Sequence, residues 1–252
     1  MNGRVTATVI SQEILEEGIR DLRLRAPEIA SLAKPGQFVN LYCRDSSRIL
    51  PRPISICEVQ GDKVRLVYRV MGEGTKEFSG LKKGDTVDLM GPLGNGFPLK
   101  EGVCALIGGG VGIPPLLEMA KRLPGEKYAL LGYRNSSMFL LEDFVPYARV
   151  LAATEDGSFG VKGNVMDILR TRDVKPDVIY ACGPKPMLKA VQAYAKENGI
   201  PAYLSLEERM ACGIGACLGC VCHTTEVDEH SRVDNRRVCK DGPVFEAREV
   251  VL

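Results

Sequence analysis

Cys212, Cys217 and Cys220 stand in C-x4-C-x2-C order inside Cys-Gly-Ile-Gly-Ala-Cys-Leu-Gly-Cys-Val-Cys, and Cys239 follows further along. This is the ligand spacing of a plant-type 2Fe-2S cluster. Two irons need four thiolates, and a short loop wraps three of them only if its backbone turns tightly. Gly213, Gly215 and Gly219 allow that turning and let backbone N–H groups approach the sulfurs. Zinc would also accept four thiolates, but structural zinc sites usually come as two close pairs, and only one tight pair is present. Disulfides do not suit a chain that reads as lacking an export signal. Cys222 reads as a spectator beside Cys220. His223 reads as a solvated loop residue, because Rieske-type ligation needs two paired histidines and His230 is the only other one.

The elements that must position this loop come before it. From Arg4 to Gly91 the chain alternates strand-like runs with turns: Val5–Leu15, Ile19–Ala26, Gln37–Cys43, Pro53–Glu58, Lys63–Val70 and Thr86–Met90. Six short antiparallel strands predict a small closed barrel, interrupted by one short helix over Glu73–Leu81. Two spots in it carry chemistry. In Arg52-Pro53-Ile54-Ser55, arginine offers a planar fork suited to a pyrophosphate, and the serine hydroxyl can meet a flavin ring. Val67-Tyr68-Arg69 leads to Gly74-Thr75 at a helix start, where free N–H groups suit phosphate. Taken singly, Arg52 reads more readily as a surface ion pair and Gly74-Thr75 as an ordinary N-cap. Together they resemble the ferredoxin–NADP reductase superfamily, in which an Arg-x-x-Ser strand and a glycine-containing helix start bind FAD.

A turn-rich join, Gly91–Gly96, ends the barrel. Val103–Ile107 is then a continuous apolar run, as a buried parallel strand requires. Gly108, Gly109, Gly110 and Gly112 follow at once, and Leu116, Leu117, Ala120 and Leu123 mark one helical face. The reading is strand, glycine turn, helix, with the helix N-terminus aimed at a phosphate. The general dinucleotide fingerprint is not met, since position 113 is isoleucine. The reductase superfamily's own turn, Gly-Gly-Gly-x-Gly-x-x-Pro, matches Gly108–Pro115. Its second signature matches Cys182-Gly183-Pro184-Lys185-Pro186-Met187. In that family the second turn lies where nicotinamide meets flavin, which implies NAD contacts for Cys182, Gly183 and Pro184. Further strands are expected at Tyr128–Tyr133, Val150–Thr154, Val178–Ala181 and Tyr203–Leu206, with a helix over Val165–Thr171. A second helix carries Met187, Ala190, Val191 and Tyr194 on one face and stops at Gly199.

The fold expected is therefore multidomain β plus α/β. It comprises a six-stranded antiparallel FAD barrel over 1–98, a doubly wound parallel α/β NAD domain over 99–204, and a small 2Fe-2S domain over 205–252. The run Leu206–Cys217, with Val238–Phe245, resembles the electron-transfer subunits of type B dihydroorotate dehydrogenases, and the likeness covers essentially the whole chain. That family implies an NAD-dependent oxidoreductase subunit without a dihydroorotate site of its own. Its partner would be a separate FMN-containing catalytic subunit, in a heterotetramer of two plus two serving pyrimidine biosynthesis. Electrons would run from FMN through the 2Fe-2S cluster and FAD to NAD, with Cys212, Cys217, Cys220 and Cys239 as ligands. No side chain is assigned proton-transfer catalysis. The alternatives are an NAD(P)H–ferredoxin or sulfide dehydrogenase flavoprotein subunit, for which Arg134 could meet a 2′-phosphate, and a zinc-stabilised sensing module without redox activity.

Composition agrees. The chain has 252 residues, a net charge of +1 and 45% hydrophobic residues, so a real core is expected and neither nucleic acid nor an anionic membrane surface is invoked. No apolar run approaches the roughly 18 residues of a spanning helix. The N-terminal residues lack a signal-peptide pattern, and nine cysteines then point to a reducing cytoplasm.

Overall fold

The fold is taken from a computed structural model, in which residues 3–171, 174–227 and 232–252 are described. Six strands build the first unit: β1 (Arg4–Glu16), β2 (Ile19–Arg25), β3 (Phe38–Tyr42), β4 (Arg52–Gln60), β5 (Lys63–Arg69) and β6 (Thr86–Leu93). They close into an antiparallel barrel in the order β1-β2-β5-β4-β3-β6, as the strand alternation predicts. Two short helices lie in its connections, α1 (Pro27–Ala30) and α2 (Glu73–Ser79). The sequence reading takes Pro27 as a break; the structure makes it the first residue of α1, where its missing N–H costs nothing.

Period-two alternation divides β5 between two cores. Val64, Leu66 and Tyr68 point into the barrel, while Val67 joins the buried cluster that contains Ile113 and Leu116 of the next unit. That second unit is a seven-stranded sheet. Its strands are β7 (Cys104–Gly109), β8 (Lys127–Tyr133), β9 (Arg149–Thr154), β10 (Val161–Lys162), β11 (Val178–Cys182), β12 (Ala202–Ser205) and, after the cluster loop, a last strand at Val244–Glu246. Every residue of β7 is buried, because it is central and pairs in parallel with both β8 and β11. Helices cover both faces. α3 (Leu117–Arg122) and α4 (Leu141–Phe144) pack on the face toward the barrel; α5 (Val165–Thr171) and α6 (Lys185–Asn198) pack on the other. A hairpin of β13 (Val221–His223) and β14 (Asn235–Arg237) lies between the cluster loop and Cys239, and the last strand is β15. β15 pairs antiparallel with β12, so the C-terminal segment completes the edge of the nucleotide sheet.

Charged groups weld the two units. Arg65, 6% exposed, binds Asp21, 2% exposed, through Nε at 3.0 Å and Nη2 at 2.9 Å. Its Nη1 reaches Glu58 at 3.3 Å and also Asp143 of α4. Lys121 of α3 binds Glu58 at 2.7 Å, and the Val59 N–H donates to buried Glu118 at 2.9 Å. Burial opposes the charge on Arg65, but its carboxylate partners hold it more firmly protonated than a free guanidinium.

Candidate functional site

The barrel ladder opens at one place. Residues 52–55 of β4 pair with β3, whereas its pairing with β5 begins at Ile56↔Leu66 and runs to Gln60↔Lys63. Beyond Leu66, Val67-Tyr68-Arg69 continue to pair with β2 alone among the described residues. The backbone edges of Arg52–Ser55 and Val67–Arg69 therefore face a gap. These are the segments the sequence reading singled out. Arg52 Nη1 donates to the preceding carbonyls, Leu50 O at 2.6 Å and Pro51 O at 3.5 Å, while its guanidinium lies against the first turn of α2. A Cβ at Gly74 would lie 2.5 Å from the Arg52 Nε, so glycine admits the guanidinium there. Thr75 caps α2: its hydroxyl accepts from the Met71 and Gly72 N–H groups at 2.9 and 3.2 Å and donates to Gly72 O at 3.0 Å. Its side chain is thus occupied, and only its backbone faces outward from the helix start. Tyr68 is likewise turned away. Its ring is buried in the barrel and its hydroxyl donates to Gln12 Oε1 at 2.9 Å, which leaves its backbone at the gap.

The glycine turn differs from the expected strand–turn–helix. Gly108 and Gly109 end β7, Gly110–Gly112 form a 3-10 turn, Pro114–Leu116 form another, and α3 starts only at Leu117. Two prolines without N–H groups prevent regular α-helical bonding there. The expected apolar face is buried nonetheless, through Leu116, Leu117, Ala120 and Leu123. This turn touches the second signature. A Cβ on Gly112 would lie 2.5 Å from the Gly183 nitrogen and closer still to the Cys182 carbonyl. Gly109 abuts Pro184 and Met187. Gly108, Cys182 and Ser205 occupy one register row at the carboxyl ends of β7, β11 and β12. The strand order reverses between β7 and β11, the position where open α/β sheets bind ligands. Burial pushes the Cys182 thiol up to about 12, so it is neutral and unsuited to a covalent role.

The cluster loop leaves the sheet directly after Ser205. Cys212 and Cys217 sulfurs lie 3.4 Å apart, and the Cys217 N–H donates to the Cys212 sulfur at 3.4 Å. The Gly215 N–H donates to the Cys239 sulfur at 3.1 Å, and the Cys239 N–H to the Cys220 sulfur at 3.4 Å. Among the described residues no three potential ligands converge on one point, as a single ion demands. The sulfurs form two pairs instead, Cys212 with Cys217 and Cys220 with Cys239, which suits two irons. Burial disfavours ionising Cys212, but N–H groups of Ile214, Cys217 and Ala216 outweigh it and hold the thiol down to about 6. Burial and then neighbouring Cys220 push Cys239 up to about 12. Bound cations would supply the attraction needed to ionise the Cys239 thiol. Paired sulfurs that already accept backbone N–H groups fit a 2Fe-2S cluster. Cys222 sits in β13 opposite Arg236, its side chain in the core cluster that also holds Val250, Cys220 and Cys239, and among the described residues no sulfur hydrogen bond joins it to those pairs. His223 is exposed on β13, and His230 lies outside the described residues.

Sequence reasoning missed two asparagines here. Asn40, fully buried in β3, donates from Nδ2 to Cys212 O at 3.1 Å. Asn95 donates from Nδ2 to Lys240 O and Asp241 O at 3.2 and 2.9 Å, just after Cys239. The signal for Asn40 was present: an amide between Val39 and Leu41 in an otherwise apolar strand.

Known proteins share this arrangement. The family model described as the iron-sulfur cluster binding domain of dihydroorotate dehydrogenase B matches residues 207–251. A chain of the NADH-dependent reduced ferredoxin-NADP oxidoreductase superposes with a TM-score of 0.88 at 30% identity, covering 100% of this chain and 91% of that one. The ferredoxin reductase of carbazole 1,9a-dioxygenase shares the fold, with a TM-score of 0.67 at 18% identity over 80% of this chain and 68% of that one. The "dihydroorotate dehydrogenase B (NAD(+)), electron transfer subunit" of Geobacillus thermodenitrificans is 42% identical over 100% of both chains. That of Streptococcus mutans is 42% identical over 97% of both. With such identity along its whole length, this chain belongs to the family of dihydroorotate dehydrogenase B electron transfer subunits.

Proposed function

We infer that the chain carries electrons between a 2Fe-2S cluster, FAD and NAD, and so links an FMN-containing catalytic subunit to NAD in pyrimidine biosynthesis. The observation that carries this reading is convergence. The glycine turns touch at the carboxyl ends of β7 and β11, the cluster loop leaves the end of β12, and Asn40 ties that loop to β3, the pairing partner of Arg52–Ser55. Flavin supplies the conversion, since it exchanges single electrons with a cluster and hydride with nicotinamide. The chain's own groups bind and orient. Arg52 with Gly74 and Thr75 takes the FAD pyrophosphate, and Pro53, Ile54, Ser55 and the backbone of Val67, Tyr68 and Arg69 line the ring. Gly108, Gly109, Gly110 and Gly112 with Cys182, Gly183 and Pro184 seat NAD. Cys212, Cys217, Cys220 and Cys239 hold the cluster. No proton-transfer residue is required.

Ile214 and Leu218 stand 49% and 73% exposed on the cluster loop, apolar side chains beside the sulfurs that suit docking of the catalytic subunit. We assign the assembly as two plus two and the compartment as the cytoplasm, whose reducing conditions suit nine cysteines that form no disulfide. Among the described residues no helix is long and apolar enough to cross a membrane. The parts 1–98, 99–204 and 205–252 correspond to the three functions. Co-purification with a partner, followed by dihydroorotate-dependent NAD reduction, tests this reading; a colourless, iron-free chain that binds no partner overturns it. Arg134, exposed just beyond β8, favours a second reading as an NADPH-using ferredoxin-linked flavoprotein. Faster oxidation of NADPH than of NADH by the purified chain would select it.

A further inference from the structure

Asn40 is a buried carboxamide on the face of β3 that, with Phe38, looks out of the barrel toward the cluster loop, while Val39 and Leu41 face the barrel core. It is fully buried in β3, and its Oδ1 has no partner among the described residues. Burying an unsatisfied acceptor is costly, so the side chain requires a reason. Its other end supplies one. Nδ2 donates to the carbonyl of Cys212 at 3.1 Å, and Gly213 rests on the same carboxamide. A Cβ at Gly213 would lie 2.6 Å from Oδ1 and closer to Nδ2, and the backbone there has φ +65°, so only glycine seats the loop. Across the ladder, Asn40 stands opposite Pro53, inside Arg52–Ser55. One side chain thus ties the strand beside the flavin motif to the first cysteine of the loop.

Asn95 repeats the device for the other ligand segment. It lies between β6 and β7, and its Nδ2 holds Lys240 O and Asp241 O while its own N–H donates to Gly242 O at 2.6 Å. These carbonyls directly follow Cys239. Each asparagine therefore comes from the barrel side and grips one of the two segments that carry the sulfurs.

We propose that Asn40 and Asn95 form a two-point clamp that fixes the cluster loop against the flavin barrel, with Asn40 the positioning residue that sets the gap for one-electron transfer. This rests on the cofactor reading above. In the step concerned the reduced cluster loses one electron and is oxidised, and the flavin gains it. Two such transfers and one proton from water reduce the flavin, which then returns to its oxidised form by giving hydride to NAD. Transfer between two redox groups falls steeply as the gap widens or fluctuates, whereas hydride transfer at the far side of the flavin does not pass through the clamp.

The test compares the wild type with Asn40→Leu, which keeps the side-chain branching but removes the donor, and with Asn95→Ala. Flavin and iron contents, the EPR spectrum of the reduced cluster, iron release to a chelator and stopped-flow reduction by NADH are measured on the full chain. For Asn40→Leu, flavin reduction by NADH should keep its wild-type rate while cluster reduction lags severalfold. The EPR lines should broaden, and iron should leave about fivefold faster, the effect of one ordinary hydrogen bond. Asn95→Ala should move the same readouts in the same direction. Wild-type EPR, iron release and cluster reduction in Asn40→Leu would overturn the clamp. If Asn40→Leu does not fold, unchanged readouts in Asn95→Ala overturn it instead. A wild type without flavin or iron would remove the cofactor reading and the clamp with it, a result distinct from unchanged variants of a coloured protein.

Discussion

Gly112→Ala tests whether the two nucleotide turns must touch. The substituted Cβ would lie 2.5 Å from the Gly183 nitrogen, so the turns must part by about 1 Å to reach ordinary contact. Both obstacles are backbone, so no side-chain rotation relieves the clash. Overpacking of this kind costs about 1–3 kcal/mol. The functional loss is larger, because a shift of about 1 Å in reacting groups reduces rate by roughly 100-fold. Gly110→Ala is the control: its backbone has φ +54° but nothing lies within 4 Å, so strain of about 1–2 kcal/mol arises without parting the turns. The assay is NADH oxidation with ferricyanide, which draws electrons from the flavin, alongside flavin and iron contents. Gly112→Ala should keep both cofactors and lose roughly 100-fold in kcat/KM, well beyond Gly110→Ala. A Gly112→Ala protein with wild-type kcat/KM would refute the reasoning, because the contact would then be dispensable for seating the nicotinamide.

Three further outcomes follow from other contacts. Arg65→Met leaves the Asp21 carboxylate, 2% exposed, with Arg23 at 3.4 Å as its remaining ion-pair partner among the described residues and should cost about 3 kcal/mol; Asp21→Asn with Arg65→Met should recover much of this, and an unchanged Tm in the single variant counts against it. Cys220→Ser should abolish the visible iron–sulfur spectrum whereas Cys222→Ser keeps it, since Cys220 Sγ accepts the Cys239 N–H while Cys222 sits in β13 opposite Arg236 with no such bond to the other sulfurs among the described residues; loss of the spectrum in both would make Cys222 a ligand. Burial would raise the Glu58 carboxyl, but the Lys121 and Arg65 bonds prevail and hold it below its ordinary 4.5. Its folded value lies under its unfolded one, so this stabilisation is complete above pH 4.5 and is lost as pH falls through the folded value. The Tm gap between wild type and Glu58→Gln should therefore shrink below pH 4.5, and a gap that stays constant contradicts it.

Much of this protein is legible in its sequence because much of it is local. The spacing of Cys212, Cys217 and Cys220 lies within one turn-rich loop, and the barrel strands and glycine turns declare themselves within a few positions. Alternation in β5 and the unbroken apolar run of β7 likewise report which faces are buried. Local pattern also misled in places. Pro114-Pro115 reads as a helix start, yet the two prolines hold that segment in a 3-10 turn and delay α3 to Leu117. Tyr68 and Thr75 keep their places in the expected cofactor segments, with their hydroxyls bonded to Gln12 and Gly72.

The tertiary structure alone decided what joins the segments. Nothing near Asn40 in the chain announces Cys212, and nothing near Arg65 announces Asp143. The return of β15 to the edge of β12 carries the segment after Cys239 back against the nucleotide sheet. Periodicity and motif spacing express the backbone's short-range geometry, so they survive in one dimension. The gap in the barrel ladder, the contact between Gly112 and Cys182, and the grip of two asparagines on the cluster loop are matters of packing between residues distant in sequence, and only the folded chain brings them together.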